Sequence, residues 1–269
     1  MTTGERYDII MNELARQGYI SCDSAAARCG VSGETIRRDL KALEEMGKLS
    51  RVRGGAKLGG SESALNPPEF PPLDVRLELH KNTKIEAANI AADLIEEGDT
   101  IGLDSGSTAN PFAEIIAGRF EKLTVVTFSL DIVRILGDKP GVTILVPGGC
   151  YLSGERIFSG FMAEQGLGRF RVGKSFICPS SFSVSHGIGM FKPEFYPLER
   201  ALMSISEKKI FVGDSSKFGV VAPIRLCDAG EADVIVSDSG LDEKTADEFR
   251  AAGVRVINSP LHKNETETH

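Results

Sequence analysis

The first 57 residues alternate apolar and polar side chains with the period of short amphipathic helices. A first helix is predicted over residues 4–17, where the apolar residues recur at helical spacing: Ile9, Ile10, Leu14 and Ala15. A second helix is predicted over residues 22–29, before a turn at Gly30-Val31-Ser32. A third helix is predicted to follow Ser32 and to end at Gly47, with an apolar face made of Ile36, Leu40 and Leu43. This order of helices and turn predicts a helix–turn–helix.

The third helix and the segment after it carry hydrogen-bond donors suited to DNA. We expect Ser32 to cap the helix, because its hydroxyl can accept an unpaired backbone N–H of the first turn. Residues 48–58 alternate and turn at Gly54-Gly55, which predicts a small basic hairpin, or wing. Arginine suits guanine edges and phosphates, and threonine suits phosphates or a thymine methyl group. The predicted DNA-binding residues are Ser32, Thr35, Arg37, Arg38, Lys41, Arg51 and Arg53. The alternative is a small helical domain with a solvated charged surface.

A linker and a larger α/β domain are predicted after this winged helix–turn–helix domain of residues 1–57. Residues 58–75 contain four prolines, which indicates a semi-rigid linker. From residue 76 to residue 269, apolar runs that end in Gly, Ser or Asp alternate with helical patterns. The runs are 100–104, 123–129, 142–149, 175–180, 209–214, 233–238 and 254–258, and the helical segments are 80–97, 108–119, 129–137, 159–170, 197–207 and 241–252. This alternation predicts an α/β domain with a mostly parallel sheet.

Charge and composition narrow the classes of function. The 269-residue chain has a net charge of −7, which argues against a general polyanion binder. Residues 28–57 nevertheless contain eight Lys or Arg and four Asp or Glu, a local basic patch of the kind that contacts nucleic acid. The five cysteines are scattered and never spaced as CxxC, and no apolar segment has the length of a signal peptide or membrane span. We expect a soluble cytoplasmic protein without disulfides, metal ion, cofactor or membrane partner.

Candidate ligand contacts stand where predicted strands end. The segment Asp104, Ser105, Gly106, Ser107 and Thr108 follows one apolar run and precedes a helix, so its N–H groups and hydroxyls can hold a phosphate. Lys217 follows another run, at the edge where open α/β sheets bind ligands. Further residues at strand ends are predicted to line the same crevice: Thr127, Ser129, Gly148 and Gly149. Each has a structural alternative, namely a capping turn, a solvated lysine or simple strand termination.

Three segments closely resemble the DeoR family of bacterial transcription regulators. They are GVSGETIRRDLKALEEMGKLSRVRGGA (30–56), DSGST (104–108) and DSSKFG (214–219). The resemblance implies a winged helix–turn–helix joined to a sensor domain with the fold of sugar-phosphate isomerases. It also implies a phosphorylated sugar-type effector and repression of a carbohydrate-catabolism operon. The chain departs from the family at Phe128, where Asn is common, and in Phe195 to Glu199. There Glu199 replaces the Lys of a common Glu-Ala-x-x-Lys pattern and reverses its charge.

Three functions are consistent with these residues. The leading hypothesis is a repressor without enzymatic activity that binds double-stranded operator DNA as a dimer or tetramer and is released by its effector. The second is an aldose–ketose phosphate isomerase fused to a regulatory module, with Asp104, Glu199 and Lys217 as acid, base and phosphate contact. The third is an architectural DNA-binding protein, which would need no ligand loop.

Overall fold

A computed structural model describes residues 2–17, 19–45, 48–52, 54–58 and 70–260. Arg53 and most of the predicted linker lie outside these residues. The chain divides into two compact units, Met1–Pro71 and Pro72–His269. Across the described ranges, each helix is too short or too polar to span a bilayer.

In its described residues, the first unit has three helices and a small antiparallel sheet. The helices are α1 (Thr3–Gln17), α2 (Cys22–Cys29) and α3 (Gly33–Glu45), and the strands are β1 (Tyr19–Ser21), β2 (Leu49–Val52) and β3 (Gly55–Leu58). The predicted helices and the β2–β3 hairpin are confirmed. Strand β1 was not predicted, and it pairs with β3 to give the strand order β1-β3-β2. The predicted apolar face of α3 is fully buried with α1: Ile10, Leu14, Ile36, Leu40 and Leu43.

Two ion pairs, each with a buried carboxylate, connect the three helices. The Arg6 guanidinium of α1 binds both carboxylate oxygens of Asp39 in α3, with Nε–Oδ2 at 2.6 Å and Nη2–Oδ1 at 3.0 Å. Arg28 of α2 pairs with the buried Glu13 of α1 at 2.9 Å. The first pair connects α3 to α1, while the opposite side of α3 stays open to solvent.

The second unit is an α/β domain. Its strands are β4 (Thr100–Leu103), β5 (Leu123–Val126), β6 (Val142–Leu145), β7 (Cys150–Leu152), β8 (Ile157–Ser159), β9 (Val172–Ile177), β10 (Ser181–Ser183), β11 (Gly187–Met190), β12 (Ser206–Val212), β13 (Ile224–Cys227), β14 (Val234–Val236) and β15 (Arg255–Ile257). Its helices are α4 (Leu73–Glu78), α5 (Lys81–Ala92), α6 (Gly106–Arg119), α7 (Leu130–Leu136), α8 (Phe161–Leu167), α9 (Tyr196–Ser204) and α10 (Glu243–Ala251).

One parallel sheet organises this unit. Within the described residues it has seven strands in the order β15-β14-β12-β9-β4-β5-β6, and every neighbouring pair is parallel. These strands are the seven predicted apolar runs. Side chains alternate between two cores: Phe176 and Ile210 pack with α5–α7, whereas Ile177 and Phe211 pack with α8–α10. Burial on both faces explains why the central residues of these runs, such as Ile210 to Val212, are apolar one after another.

The sequence did not predict the short antiparallel elements. Strands β7 and β8 form a hairpin, and β10, β11 and β13 form a small separate sheet. Because the large sheet is parallel, the residues that follow β12, β9, β4 and β5 lie along one edge in that order, and they are Asp214, Cys178, Asp104 and Thr127.

Candidate ligand site and nucleic-acid interface

The amino terminus of α6 lies at the carboxyl edge of the sheet. Strand β4 ends at Leu103, and α6 begins two residues after the buried Asp104. Gly106 has φ +91°, a left-handed conformation that glycine adopts without strain, and it turns the chain into the helix. Ser107 and Thr108 lie buried in the first turn. First-turn N–H groups have no acceptor within the helix and carry partial positive charge, so this turn can bind an anion.

Lys217 meets this helix terminus from a distant segment. Its Nζ lies 3.1 Å from Thr108 Oγ1 and 2.8 Å from the carbonyl oxygen of Pro179, to which it donates. The lysine follows β12 and Pro179 follows β9, so neighbouring strands place both groups at one edge. The structure therefore brings together the two predicted ligand segments, 104–108 and 214–219.

Two buried carboxyl groups stand beside Lys217. Asp104 Oδ2 accepts the N–H of Cys178 at 2.8 Å, but burial still raises the pKa of Asp104 to about 6. The pKa of Glu199, which α9 contributes, is raised well above its usual value by burial and by the charge of Asp104, and Lys217 opposes this shift. The three residues of the isomerase alternative thus converge.

Sequence reasoning missed two cations at this site. Lys84 of α5 is buried, and its Nζ donates to the carbonyl oxygens of Arg76 and Leu79. Burial and the charge of Lys217 lower the pKa of Lys84 to about 8. A β-carbon built on Gly106 would lie 3.7 Å from Arg76 Nη1, so the guanidinium is close to the start of α6. No local motif surrounds these residues, and only the tertiary fold reveals them.

Glu155 holds the Arg76 guanidinium in place. This carboxylate is buried in the loop between β7 and β8 and pairs with both Arg76 and Lys192. Burial lowers the pKa of Arg76, and the Glu155 charge opposes that change. In the same loop, Arg156 pairs with Asp74. Helix α4 is therefore tied to the β7–β8 loop by charged contacts next to the candidate site.

Other predicted ligand residues carry structural roles. Thr127 Oγ1 accepts the N–H of Ser129 at 3.1 Å, and Ser129 Oγ accepts the N–H of Ile132 at 3.4 Å and caps α7. Phe128 between them is fully buried in the core with α8–α10. Both hydroxyls are thus occupied by backbone groups, and contact with a ligand stays a prediction.

Gly148 and Gly149 lie between β6 and β7 with φ +80° and +116°. A β-carbon on Gly149 would lie 2.6 Å from the carbonyl oxygen of Ser159 and 2.9 Å from the Ala163 methyl group. This close approach to β8 and α8 accounts for glycine at position 149, and a ligand contact at either glycine stays a prediction.

The solvent side of α3 presents the predicted DNA-binding donors. Ser32 Oγ accepts the Thr35 N–H at 3.3 Å and caps the helix as expected. The side chains of Arg37, Arg38 and Lys41 are exposed. Glu34 pairs with Arg37 at 3.3 Å and lies 3.8 Å from Arg38. Such exposed pairs are weak and exchange readily for phosphate.

Arg51 carries an exposed side chain on β2, while its backbone N–H donates to Glu44 Oε1 at 2.8 Å. This bond anchors the β2–β3 hairpin to the end of α3. The helix and the hairpin therefore present basic side chains from a shared rigid scaffold, as a winged helix–turn–helix does.

Each of the two units matches a known domain family. Residues 6–62 match the DeoR-like helix-turn-helix domain, and residues 79–239 match the DeoR C terminal sensor domain. The uncharacterized HTH-type transcriptional regulator YgbI of Escherichia coli (strain K12) is 33% identical over 97% of this chain and 98% of its own length. The transcriptional repressor AccR of Agrobacterium fabrum (strain C58) is 33% identical over 89% of this chain and 91% of its own.

Among solved structures, ribose 5-phosphate isomerase A from Methanocaldococcus jannaschii overlaps 51% of this chain and 54% of its own, with 16% identity and a TM-score of 0.37. So distant a likeness says nothing about activity. The two domain matches span both units in the order of the chain and cover the α3 surface, β4 and the start of α6. The chain therefore belongs to the DeoR family of transcriptional regulators.

Proposed function

We propose that this protein is a DNA-binding repressor of a carbohydrate-catabolism operon whose sensor unit binds a phosphorylated sugar-type effector. The observation that carries the proposal is the meeting of Lys217 with Thr108 at the first turn of α6. Lys84 and Arg76 lie beside this turn. Backbone N–H groups, hydroxyls and cations are the groups that proteins use to hold a phosphate.

The first turn of α6 suits a phosphate better than a neutral ligand. The Lys217 ammonium group lies 3.1 Å from Thr108 Oγ1 in this turn, and the pKa of Lys84 is lowered by burial and by its cationic neighbours Lys217 and Arg76. A dianion placed there would relieve the repulsion among the cations and supply acceptors for the N–H groups. The proposed effector contacts are Asp104, Ser105, Gly106, Ser107, Thr108 and Lys217, with Lys84 and Arg76 added.

The α3 surface and the wing support the DNA-binding part of the proposal. We propose that Arg37, Arg38 and Lys41 enter the major groove or its rim, that Ser32 and Thr35 contact phosphates near the helix start, and that Arg51 and Arg53 straddle the backbone. One such module reads few base pairs, so the protein would act as a dimer or tetramer on paired half-sites. Because a repressor must reach operator DNA, we expect this protein to act in the bacterial cytoplasm.

A pair of substitutions tests the division of labour. An operator duplex is first selected from a random DNA pool with the full-length protein, and an effector is found among sugar phosphates by thermal shift. Arg37→Ala should weaken operator binding at least tenfold and leave effector binding unchanged. Lys217→Ala should keep operator affinity and weaken effector binding at least tenfold, because one charge-assisted contact is lost.

Lys244→Ala is the matched control, since Lys244 is an exposed lysine on α10. It should change neither affinity. If Lys217→Ala stays folded by circular dichroism and loses operator binding, the assignment of the two sites is wrong. If no phosphorylated sugar binds the full-length protein, the effector proposal is wrong and the DNA-binding proposal stands.

The convergence of Asp104, Glu199 and Lys217 favours one second candidate, an aldose–ketose phosphate isomerase. Carboxyl groups with raised pKa values beside a phosphate site suit proton transfer between adjacent carbons. The proposed repressor instead uses the site for binding alone. Incubation of the protein with each sugar phosphate, followed by NMR, should show no conversion to the isomeric ketose or aldose. Turnover that Glu199→Gln abolishes would establish the isomerase.

A further inference from the structure

Glu199 faces the same edge of the sheet as Asp104 because α9 crosses the strands there. A β-carbon on Gly102 of β4 would lie 2.7 Å from Leu202 Cδ1, so α9 packs directly on this strand. Helix α9 runs antiparallel to the strands, since β12 follows it and is parallel to β9. Glu199 precedes Leu202 by almost one turn and therefore lies nearer the carboxyl end of β4, where Asp104 stands.

Each of the two carboxyl groups, Asp104 and Glu199, has one buried oxygen atom that lacks a hydrogen-bond partner among the described residues. Glu199 is 3% exposed and Asp104 is 1% exposed. Across the residues that the structure describes, Glu199 Oε2 and Asp104 Oδ1 are buried without a hydrogen-bond partner. An unpaired buried polar atom is destabilising, and more so when charged, so native proteins rarely keep one without a use. A ligand that donates hydrogen bonds would satisfy both atoms.

The candidate site contains both cationic side chains and carboxyl groups. Lys217, Lys84 and Arg76 surround the start of α6, where the effector phosphate is proposed to lie. Asp104 and Glu199 are both buried, and both interact electrostatically with Lys217. These two carboxyl groups call for an effector whose end opposite the phosphate can donate hydrogen bonds.

We propose that Glu199, together with Asp104, determines effector specificity by accepting hydrogen bonds from a hydroxyl or ammonium group at the end opposite the phosphate, and by rejecting a carboxylate there. This inference rests on the proposed function, because it assumes that a phosphate occupies the α6 terminus. The effector is then a phosphorylated sugar or amino sugar and not a phosphorylated sugar acid.

Matched probes test the proposal by calorimetry on the full-length protein. A pH of about 8 is used because it lies above the pKa of Asp104, which is about 6, so that this carboxyl group is ionised. Each probe set has one carbon number and one phosphate position; the acids differ from the sugars at C1, and the amino sugar differs at the adjacent C2. The sets are erythrose 4-phosphate with 4-phosphoerythronate, ribose 5-phosphate with 5-phosphoribonate, and glucose 6-phosphate with glucosamine 6-phosphate and 6-phosphogluconate. Inorganic phosphate measures the anion contact alone. The wild-type protein should bind the sugar or the amino sugar at least tenfold more tightly than the matching acid.

Two substitutions of Glu199 should change that ratio. Glu199→Lys reverses the charge at this position and should therefore reverse the preference in favour of the acid by at least tenfold. Glu199→Gln keeps the size of the side chain and supplies N–H donors for a carboxylate, so the ratio should fall at least threefold even if Glu199→Lys does not fold. Glu194→Lys, an exposed glutamate five residues earlier, makes the same charge change and should leave the ratio unchanged.

The outcomes separate the two proposals. If the probes bind and the folded Glu199 variants keep the wild-type ratio, or if the wild type prefers an acid, the specificity proposal is overturned while the phosphate site stands. If the wild type binds none of the phosphorylated probes, the effector proposal fails and the specificity proposal fails with it. The comparison of sugar with amino sugar shows whether the donor is a hydroxyl or an ammonium group.

Discussion

The Asp104 carboxyl occupies an environment that favours its neutral form. Burial raises the pKa of Asp104 to about 6, whereas the pKa of an aspartate in an unfolded chain is about 4. Glu199 and Lys217 are the charged groups that act on it from α9 and from the segment after β12. A carboxyl whose folded pKa is raised stabilises the protein most below its unfolded pKa, and this contribution is lost as the pH rises through the folded pKa.

Replacement of Asp104 by Asn removes this titration. The free energy of unfolding of Asp104→Asn, relative to wild type, should increase between about pH 4 and pH 7 by at most about 3 kcal/mol, since each pKa unit contributes about 1.4 kcal/mol. Urea unfolding of both proteins across this range measures the difference. Asp138→Asn, an exposed aspartate in the same unit, is the matched control. If the difference in the free energy of unfolding between the two proteins did not change with pH, ionisation of Asp104 would not destabilise the folded protein.

Helix α4 depends on a buried carboxylate from another part of the chain. Glu155, 5% exposed, pairs with Arg76 of α4, and it also pairs with Lys192. Removal of one partner from a buried pair leaves the other charge without compensation and costs about 3–5 kcal/mol. The same change in a solvated pair costs less than about 1 kcal/mol.

Glu155→Gln should therefore lower the free energy of unfolding of the sensor unit by roughly 3 kcal/mol. Glu243→Gln is its control: the Glu243 side chain is 67% exposed and pairs with Arg250, so the loss should stay below about 1 kcal/mol. Chemical unfolding followed by circular dichroism measures both changes. Tryptophan fluorescence cannot be used, because the chain has no Trp. Equal effects of the two substitutions would mean that α4 does not rely on the Glu155 pair.

The sequence was sufficient to predict elements whose pattern is local. Residues 101–103 and 210–212 lack polar side chains because β4 and β12 are buried on both faces there, and this marks both strands in the sequence. Strands β7, β8 and β10 have three residues each and belong to small antiparallel pairs, so they carry too short an alternation to detect.

The same distinction applies to the candidate site. Asp104 to Thr108 is one continuous turn between a strand and a helix, and its chemistry can be inferred from adjacent residues. Arg76, Lys84 and Glu155 reach the site only because α4, α5 and the β7–β8 loop fold onto the start of α6. Lys84 lies within a predicted helix of ordinary composition, and no spacing distinguishes it from a solvated lysine.

The assignment of DNA to one unit and of effector to the other has a thermodynamic consequence. An effector that weakens operator binding must bind free protein more tightly than operator-bound protein. The two effects are equal, because they are legs of one thermodynamic cycle. Typical coupling changes affinity by roughly 5- to 150-fold, which is large enough to measure for either ligand.

The operator Kd should therefore rise on saturation with effector by the same factor by which saturation with operator raises the effector Kd. Fluorescence anisotropy of a labelled operator gives the first factor, and calorimetry with the effector gives the second. Arg37→Ala should keep the effector Kd of the free protein and reduce its dependence on operator added at concentrations that just saturate the wild type, because this variant binds operator at least tenfold more weakly. Lys217→Ala should keep the operator Kd and remove its dependence on effector at concentrations that saturate the wild type. Equal effector affinity for free and operator-bound wild type would mean that binding at the α6 terminus does not control DNA release.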